Sequence, residues 1–240
     1  MGRLDRQLPV FGEDGQRRIS DARVGIVGCG GLGTSVSTAL AVAGVRRFVI
    51  SDPDFPEETN LNRQYVYAGR VGPGARPKAE ILADWIRLQS PGAEVDVHVC
   101  RFDDSTSHFY DGCDVLVDCL DSIRSRMDLN RYSVATGKPL VHGGINGYTG
   151  EIAVCVPGRT PCLRCMMGDV PESDRPPASV GAIVAMVGSM EAAEVLKIVS
   201  GIGSSADSPF LYIDMGGWRF TPVRFEKDPD CPVCGQAGKN

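Results

Sequence analysis

Along this chain apolar residues fall in short blocks separated by glycine and polar clusters. Arg23-Val24-Gly25-Ile26-Val27 is one such block and runs into a glycine cluster. Thr34 to Val42 reads as a helix of small residues, and Arg47-Phe48-Val49-Ile50-Ser51 as a second strand. Strand, glycine turn, helix and strand in about 30 residues is the pattern of a βαβ unit. Pro77 to Leu88 puts Ile81, Leu82, Trp85 and Leu88 on one helical face, with Pro77 suited to a first turn. Val95 to Val99 alternates like a strand, whereas Val115-Leu116-Val117 is uninterrupted, as in a strand buried on both faces. Ser122 to Thr136 predicts a helix, and Leu140-Val141 and Glu151 to Val156 predict strands. Gly181 to Val199 predicts a helix with Glu191, Glu194 and Lys197 on its polar side. Phe210 to Asp214 and Arg219 to Arg224 read as late strands. The alternation implies an α/β, Rossmann-like fold: a mainly parallel, twisted sheet covered by helices.

Composition narrows the function classes. The 240 residues suffice for a sizeable core without covalent help, and 42% hydrophobic against 23% charged residues excludes wholesale disorder. The net charge of −5 gives no basic excess of the kind that marks a nucleic-acid or anionic-membrane surface. The charged first twenty residues are followed by no apolar signal region. The apolar run from Ala178 to Met190 is shorter than the roughly 20 residues of a membrane span. The expectation is a soluble, cytoplasmic protein. Nine cysteines cannot all pair within the chain, so they read as metal ligands, buried thiols or a nucleophile in a reducing compartment.

Gly28-Cys29-Gly30-Gly31-Leu32-Gly33 has the G-x-G-x-x-G spacing between a strand and a helix, which is the context the pattern needs. The first glycine permits the tight turn, the second lets backbone approach phosphate, and the third allows close helix packing. Asp52 follows the second strand, nineteen residues after Gly33, where a carboxylate binds ribose hydroxyls. NAD, FAD and ATP all satisfy this much. Asp54, Asn60, Arg63, Gln64 and Lys78 follow, a donor-rich set suited to a triphosphate. They tilt the reading from hydride transfer to phosphate chemistry. Cys162-Leu163-Arg164-Cys165 and Cys231-Pro232-Val233-Cys234 are two CxxC pairs separated by 65 residues. Four thiolates can close a structural zinc tetrahedron; a single CxxC can also be a redox pair.

Taken in order, several motifs resemble the ThiF/MoeB/HesA family, the bacterial relatives of ubiquitin-activating enzymes. They are Arg3-Leu4-Asp5-Arg6-Gln7, the glycine loop, Asp52-Pro53-Asp54, Asn60-Leu61-Asn62-Arg63-Gln64, Arg76-Pro77-Lys78, Asp118-Cys119-Leu120-Asp121-Ser122 and the two CxxC pairs. The resemblance runs from Arg3 to Gly235. It implies one adenylation domain over 1–240, with a nucleotide-binding part (1–140) and an acceptor-binding and zinc part (141–240) carrying an antiparallel continuation of the sheet. It implies ATP and magnesium as cofactors, and AMP transfer to the C-terminal carboxylate of a ubiquitin-like sulfur carrier ending in Gly-Gly. By the same resemblance Gly28, Gly30, Gly31, Gly33, Asp52, Asp54, Asn60 and Gln64 form the nucleotide pocket. Arg63 and Lys78 hold the triphosphate, and Asp121 binds magnesium. Arg6 reaches in from the other subunit of a homodimer, and Cys162, Cys165, Cys231 and Cys234 bind zinc. Arg126 also matches a position near the nucleotide, although its spacing fits a surface ion pair equally.

The chain departs from that family in one consequential place. Many relatives carry a cysteine between the first CxxC and the following helix, but no cysteine lies between Met166 and Asp230 here. The expected chemistry then stops at the adenylate, with sulfur from a separate donor. Leu4 and Ser122 stand where tyrosine and asparagine are usual, which bears on specificity. Three alternatives stay open: adenylation of a small-molecule or peptide carboxylate, an NAD-dependent oxidoreductase, and a noncatalytic scaffold. Cys29, Cys100, Cys113, Cys119 and Cys155 read as buried thiols, with Cys29 a candidate reactive thiol, and His142, at a strand end, has no assigned role.

Overall fold

The computed structural model describes residues 2–172, 177–203, 206 and 210–235. In chain order these form α1 (Leu8–Asp21), β1 (Arg23–Val27), α2 (Gly31–Val42), β2 (Arg47–Ser51), α3 (Lys78–Gln89) and β3 (Glu94–His98). There follow β4 (Val115–Asp118), α4 (Ile123–Thr136), β5 (Leu140–Asn146), β6 (Thr149–Cys155), α5 (Leu163–Met167), α6 (Gly181–Ser200), β7 (Phe210–Asp214) and β8 (Arg219–Val223). All eight strands join one sheet in the order β3-β2-β1-β4-β5-β6-β7-β8. Pairing is parallel from β3 to β5 and antiparallel from β5 to β8.

The period-2 geometry of strands sends alternate residues to two separate cores. Val24, Ile26, Phe48 and Ile50 face α1, α2, α3 and α6, while Val27, Val49 and Leu116 face α4 and α5. Gly25 lies on the second face because a Cβ there would sit 2.6 Å from the ring of the buried Tyr110. Helix α6 is apolar over most of its surface because it lies among α1, α2 and the sheet. The chain turns one way from β1 to β2 and the other way from β3 to β4. The β1/β4 boundary is therefore a topological switch point, beyond whose carboxyl edge α/β sheets bind ligands.

Helix α1, the short α5 and the length of β5 differ from the sequence reading. Helix α1 carries Pro9, Gly12 and Gly15, which mask its period, and it kinks at Gly12 (φ 66°). It is held by Arg18, whose Nε donates to the Ser200 carbonyl at 2.9 Å. Strand β5 runs on through Gly143 and Gly144 to Asn146, beyond the Leu140-Val141 that the apolar pattern marks. A Cβ on Gly143 would lie 2.4 Å from the Glu191 carboxyl carbon, and one on Gly144 would lie 2.7 Å from Glu151 Oε1. These glycines make room for two carboxyl side chains and end no strand. Glu191 itself is fully buried, so it belongs to no polar helix face. No helix among the described residues is long and apolar enough to cross a membrane.

Candidate active site and metal centre

An open cleft of about 1110 Å³ lies at the switch point, walled by the glycine loop, the segment 52–64, the start of α4, and β5–β6. The loop's shape follows from its glycines. Gly28 has φ 97°, and a Cβ there would meet the Cys119 carbonyl oxygen at 2.6 Å. A Cβ on Gly33 would lie 2.0 Å from the Gly28 carbonyl oxygen, and one on Gly31 would lie 2.7 Å from Val184. Gly30 differs, since only Gln64 Nε2, at 3.7 Å, is near its Cβ position. Its bare backbone therefore faces open space, where an anion can approach the helix amides. Gly33→Ala should destabilise the fold by roughly 3 kcal/mol or more, because the clash is with backbone that cannot step aside. Urea denaturation checks this, and a midpoint within error of the parent would contradict it.

Asp52 ties the loop to β2. One carboxylate oxygen accepts from the Cys29 amide at 2.7 Å and the other from the Asp54 amide at 2.8 Å. Burial raises this carboxyl above its ordinary value, while the two amides and Lys78 favour the anion. The side chain expected to meet ribose thus also fixes the loop. Cys29 is sealed beneath it. Burial, with the Asp52 charge adding, pushes its thiol well above the ordinary range, so it packs as a thiol and is no nucleophile. Tyr67, which sequence reading passed over, donates its hydroxyl to the Cys29 carbonyl at 2.5 Å from a fully buried position. It lies in the short Tyr65-Val66-Tyr67-Ala68 stretch, which has neither strand nor helix length to mark it.

Lys78 opens α3 with Pro77 immediately before the helix, and its ammonium lies 3.4 Å from Asp54 at the cleft wall. Arg63 packs its alkyl stem against Gly31 and donates to the Thr59 carbonyl at 3.1 Å and to Asn62 Oδ1 at 2.8 Å. Asn60 is buried in a capping box with Glu57. Gln64 is buried and its Oε1 has no partner, an unmet acceptor on the cleft wall. Asn62 donates to the Ser179 carbonyl at 3.0 Å, and a Cβ on Gly181 would meet the Asn62 carbonyl oxygen at 2.3 Å. The Asn60–Gln64 segment is thereby clamped to the start of α6.

Asp121 lines the cleft, is exposed, and makes no hydrogen bond or ion pair to the described residues. The α4 cap is Ser122, whose hydroxyl accepts from the Ser125 amide at 3.3 Å, so Asp121 is free of that structural duty. Asp118, three residues earlier, is fully buried and engaged. Arg126 is buried too, with Nε 3.1 Å from Asp118 Oδ2, and so makes no surface ion pair. Arg6 stands apart from these residues. It is exposed and does not line the cleft. Its neighbour Gln7 donates to the Ala43 carbonyl at 2.7 Å, at the end of α2 remote from the glycine loop.

The four CxxC cysteines come together away from the cleft, their Sγ atoms all within 4.8 Å of one another. Cys162 and Cys231 are 3.8 Å apart and Cys165 and Cys234 are 3.5 Å apart. A tetrahedron of 2.3 Å Zn–S bonds has edges of about 3.8 Å, so the donor set fits zinc. These separations exceed the roughly 2.05 Å of a disulfide. Burial opposes a Cys231 thiolate, but the Cys234 and Val233 amides overcome it and bring the thiol down to about 7. Of the other five cysteines, Cys29, Cys113, Cys119 and Cys155 are buried as expected, and Cys100 is half-exposed.

A doubly wound sheet with a glycine loop, cationic side chains at its switch point and a four-cysteine cluster able to hold a metal defines an α/β protein of the nucleotide-binding type. The chain belongs to the ThiF family, whose model matches residues 4–233. It is similar to the SAMP-activating enzyme E1 of Haloferax volcanii, with 36% identity over 238 residues covering 96% of this chain and 87% of that protein. It is also similar to the sulfur carrier protein adenylyltransferase of Thermus thermophilus, at 34% identity over 249 residues, covering 98% and 91%. The fold matches that of Escherichia coli MccB solved with ATP, with a TM-score of 0.83 at 23% identity over 98% of this chain and 75% of that one.

Proposed function

We propose that this protein is an adenylyltransferase that uses ATP and magnesium to activate the C-terminal carboxylate of a ubiquitin-like sulfur carrier ending in Gly-Gly. The observation that carries the reading is the convergence of the Gly30 backbone, Arg63, Lys78, the unpartnered Gln64 acceptor and the free Asp121 carboxylate on one cleft. The family membership and the names of the two relatives support the reaction class. A carboxylate oxygen attacks the α-phosphorus, the bond to the bridging oxygen breaks, and pyrophosphate leaves. Attack on an already anionic centre is helped most by positioning and fixed cations. Lys78 and Arg63 supply that charge, Gly28, Gly30, Gly31 and Gly33 shape the loop, and Asp52, Asp54, Asn60 and Gln64 line the nucleotide pocket. Magnesium at Asp121 would neutralise the departing pyrophosphate.

Arg6 fits this scheme only from a second copy, because its own cleft lies at the other end of α2; the active species is then a homodimer. The 1–140 part serves the nucleotide and the 141–240 part the acceptor and the zinc. The absence of cysteine between Met166 and Asp230 favours chemistry that ends at the adenylate, with sulfur from another protein. It also keeps a peptide or small-molecule carboxylate as the second reading.

ATP–pyrophosphate exchange tests the proposal. Exchange should appear with a carrier ending in Gly-Gly and vanish when that tail is removed. Exchange supported only by small carboxylates would move the function to the second reading. No exchange with any acceptor, together with tight NAD binding, would overturn both.

A further inference from the structure

Beneath the cleft runs a line of buried charged groups that this mechanism does not use. Asp118, at the end of β4, accepts from the Leu120 amide at 3.1 Å and lies 2.8 Å from His142 Nδ1. The opposite ring nitrogen, Nε2, is 3.3 Å from Glu151 Oε1 on β6. The Asp118 oxygen that meets His142, Oδ2, also lies 3.1 Å from Arg126 Nε, and Arg126 Nη2 donates to the Leu120 carbonyl at 2.6 Å. Leu120 immediately precedes Asp121. Asp118 and His142 are fully buried, while the Glu151 side chain keeps 29% of its surface open on the cleft wall. Four elements therefore contribute one unbroken chain, Glu151–His142–Asp118–Arg126, which ends at the loop carrying Asp121. Gly144 makes it possible, since any side chain there would displace the Glu151 carboxylate.

We infer that Glu151 and His142 are positioning residues for adenylation, holding Asp118 so that it fixes Arg126 and the Asp121 loop. The inference rests on the adenylation reading. Arg126 Nη2 is committed to the Leu120 carbonyl, and Nε stands in ion-pair contact with Asp118 without completing a hydrogen bond. Its third nitrogen, Nη1, makes neither contact, and the side chain lines the cleft. A guanidinium fixed in this way loses little freedom when it meets an anion. The Glu151 end lies in the half assigned to the acceptor, so the chain also joins the two halves of the site mechanically.

The protonation states agree with the geometry. The groups facing His142 are Asp118 from β4, Arg126 from α4 and Glu151 from β6. Burial and Arg126 oppose its charge, yet the bonds to Asp118 and Glu151 prevail and hold the imidazole above its ordinary value. Burial likewise opposes both carboxylates. Arg126 and His142 nevertheless hold Asp118 low, and the bond to His142 holds Glu151 low. Glu191, facing Gly143 from α6, is pushed well above the usual carboxylate range by burial and by Asp118, and so adds no competing anion. Two anions and two cations balance. A raised histidine is fully charged below its ordinary value and loses its proton as pH climbs through the raised one, so the clamp fails on the alkaline side.

The test is Glu151→Gln, with His142→Asn as the second variant, in the full chain. Wild-type exchange with the carrier is measured first; its absence would sink the adenylation reading and this inference with it, without reference to any variant. With wild-type exchange present, E151Q should lower kcat about tenfold with an unchanged KM for ATP, the signature of misplacement without lost ground-state binding. Its alkaline limb should also move to lower pH, because His142 loses an anionic partner. H142N, which can keep the Asp118 bond but carries no charge, should lose kcat and show no such limb. Wild-type kcat in E151Q would overturn the inference. So would a loss of kcat with an unmoved alkaline limb, because Glu151 would then act only on the fold.

Discussion

Asp121→Ala should abolish ATP–pyrophosphate exchange, by about a thousandfold or more, and leave the thermal midpoint within a degree or two of the parent. The two halves of this expectation come from the same observation. Asp121 is exposed and touches nothing that folding needs; the helix behind it is capped by Ser122. Removing such a side chain normally changes stability by less than about 0.5 kcal/mol. Its proposed value lies wholly in the complex with nucleotide, where it holds the cation that neutralises the leaving pyrophosphate. Losing that charge stabilisation costs several kcal/mol in the transition state. Asp118→Ala makes the contrast. It would strip His142 and Arg126 of their shared anion inside the core, and a buried charge left without its partner costs about 3–5 kcal/mol. A pair of variants three residues apart should therefore separate activity from stability. Normal exchange in D121A would remove its magnesium role, and an unfolded D121A would show that its exposure misleads.

The chain announced much of this site, for reasons that differ between residues. The glycine loop was legible because its spacing is local to one strand-turn-helix unit, although only Gly33 is held by that unit's own backbone and Gly28 and Gly31 answer to Cys119 and Val184 farther along the chain. The inner strands of the parallel half were legible because burial on both faces leaves continuous apolar runs, and the edge strand β3 because its residues alternate. The buried network was not. His142, Glu151 and Glu191 come from three separate elements and meet only once β5 and β6 pair and α6 packs over them. In sequence, Glu191 shares helical spacing with Glu194 and Lys197 and reads as part of a solvated face. Gly143 and Gly144 lie beyond the predicted Leu140-Val141 strand, and the volume they leave for carboxyls on neighbouring elements has no local signature. Burial of charge is a property of the assembled sheet, and one-dimensional periodicity carries no trace of it. Arg126 fell between these cases: its position was recognisable, but only Asp118 at its side shows that it is held below the surface.

Removal of metal should be the most damaging single treatment for the fold. Beyond Phe225, whose ring packs on Phe210, the described C-terminal residues make few apolar contacts outside the cysteine cluster. Residues Arg219 to Pro222 of β8 are exposed on the sheet edge, and Trp218 before them is 80% exposed. What secures residues 231–235 is the cysteine cluster, where Cys231 and Cys234 meet Cys162 and Cys165 beside Val134 of α4. The receiving side is already ordered, since Asn130 of α4 accepts from the Leu163 amide at 3.0 Å. Four thiolates at these separations repel one another without a cation, whereas zinc binding to such sets contributes on the order of 10 kcal/mol to folding. The protein as purified should contain one zinc per chain, and the four thiols should resist a thiol reagent until a chelator is added. Chelation or Cys231→Ser should lower the thermal midpoint by about 10 °C or more, the shift that a loss of several kcal/mol produces in a chain of this length. Exchange per folded molecule should persist at low temperature, because no cysteine of the cluster lines the cleft. Zinc-free protein with an unchanged midpoint would refute the staple. Loss of exchange in fully folded C231S would instead place the metal in the chemistry.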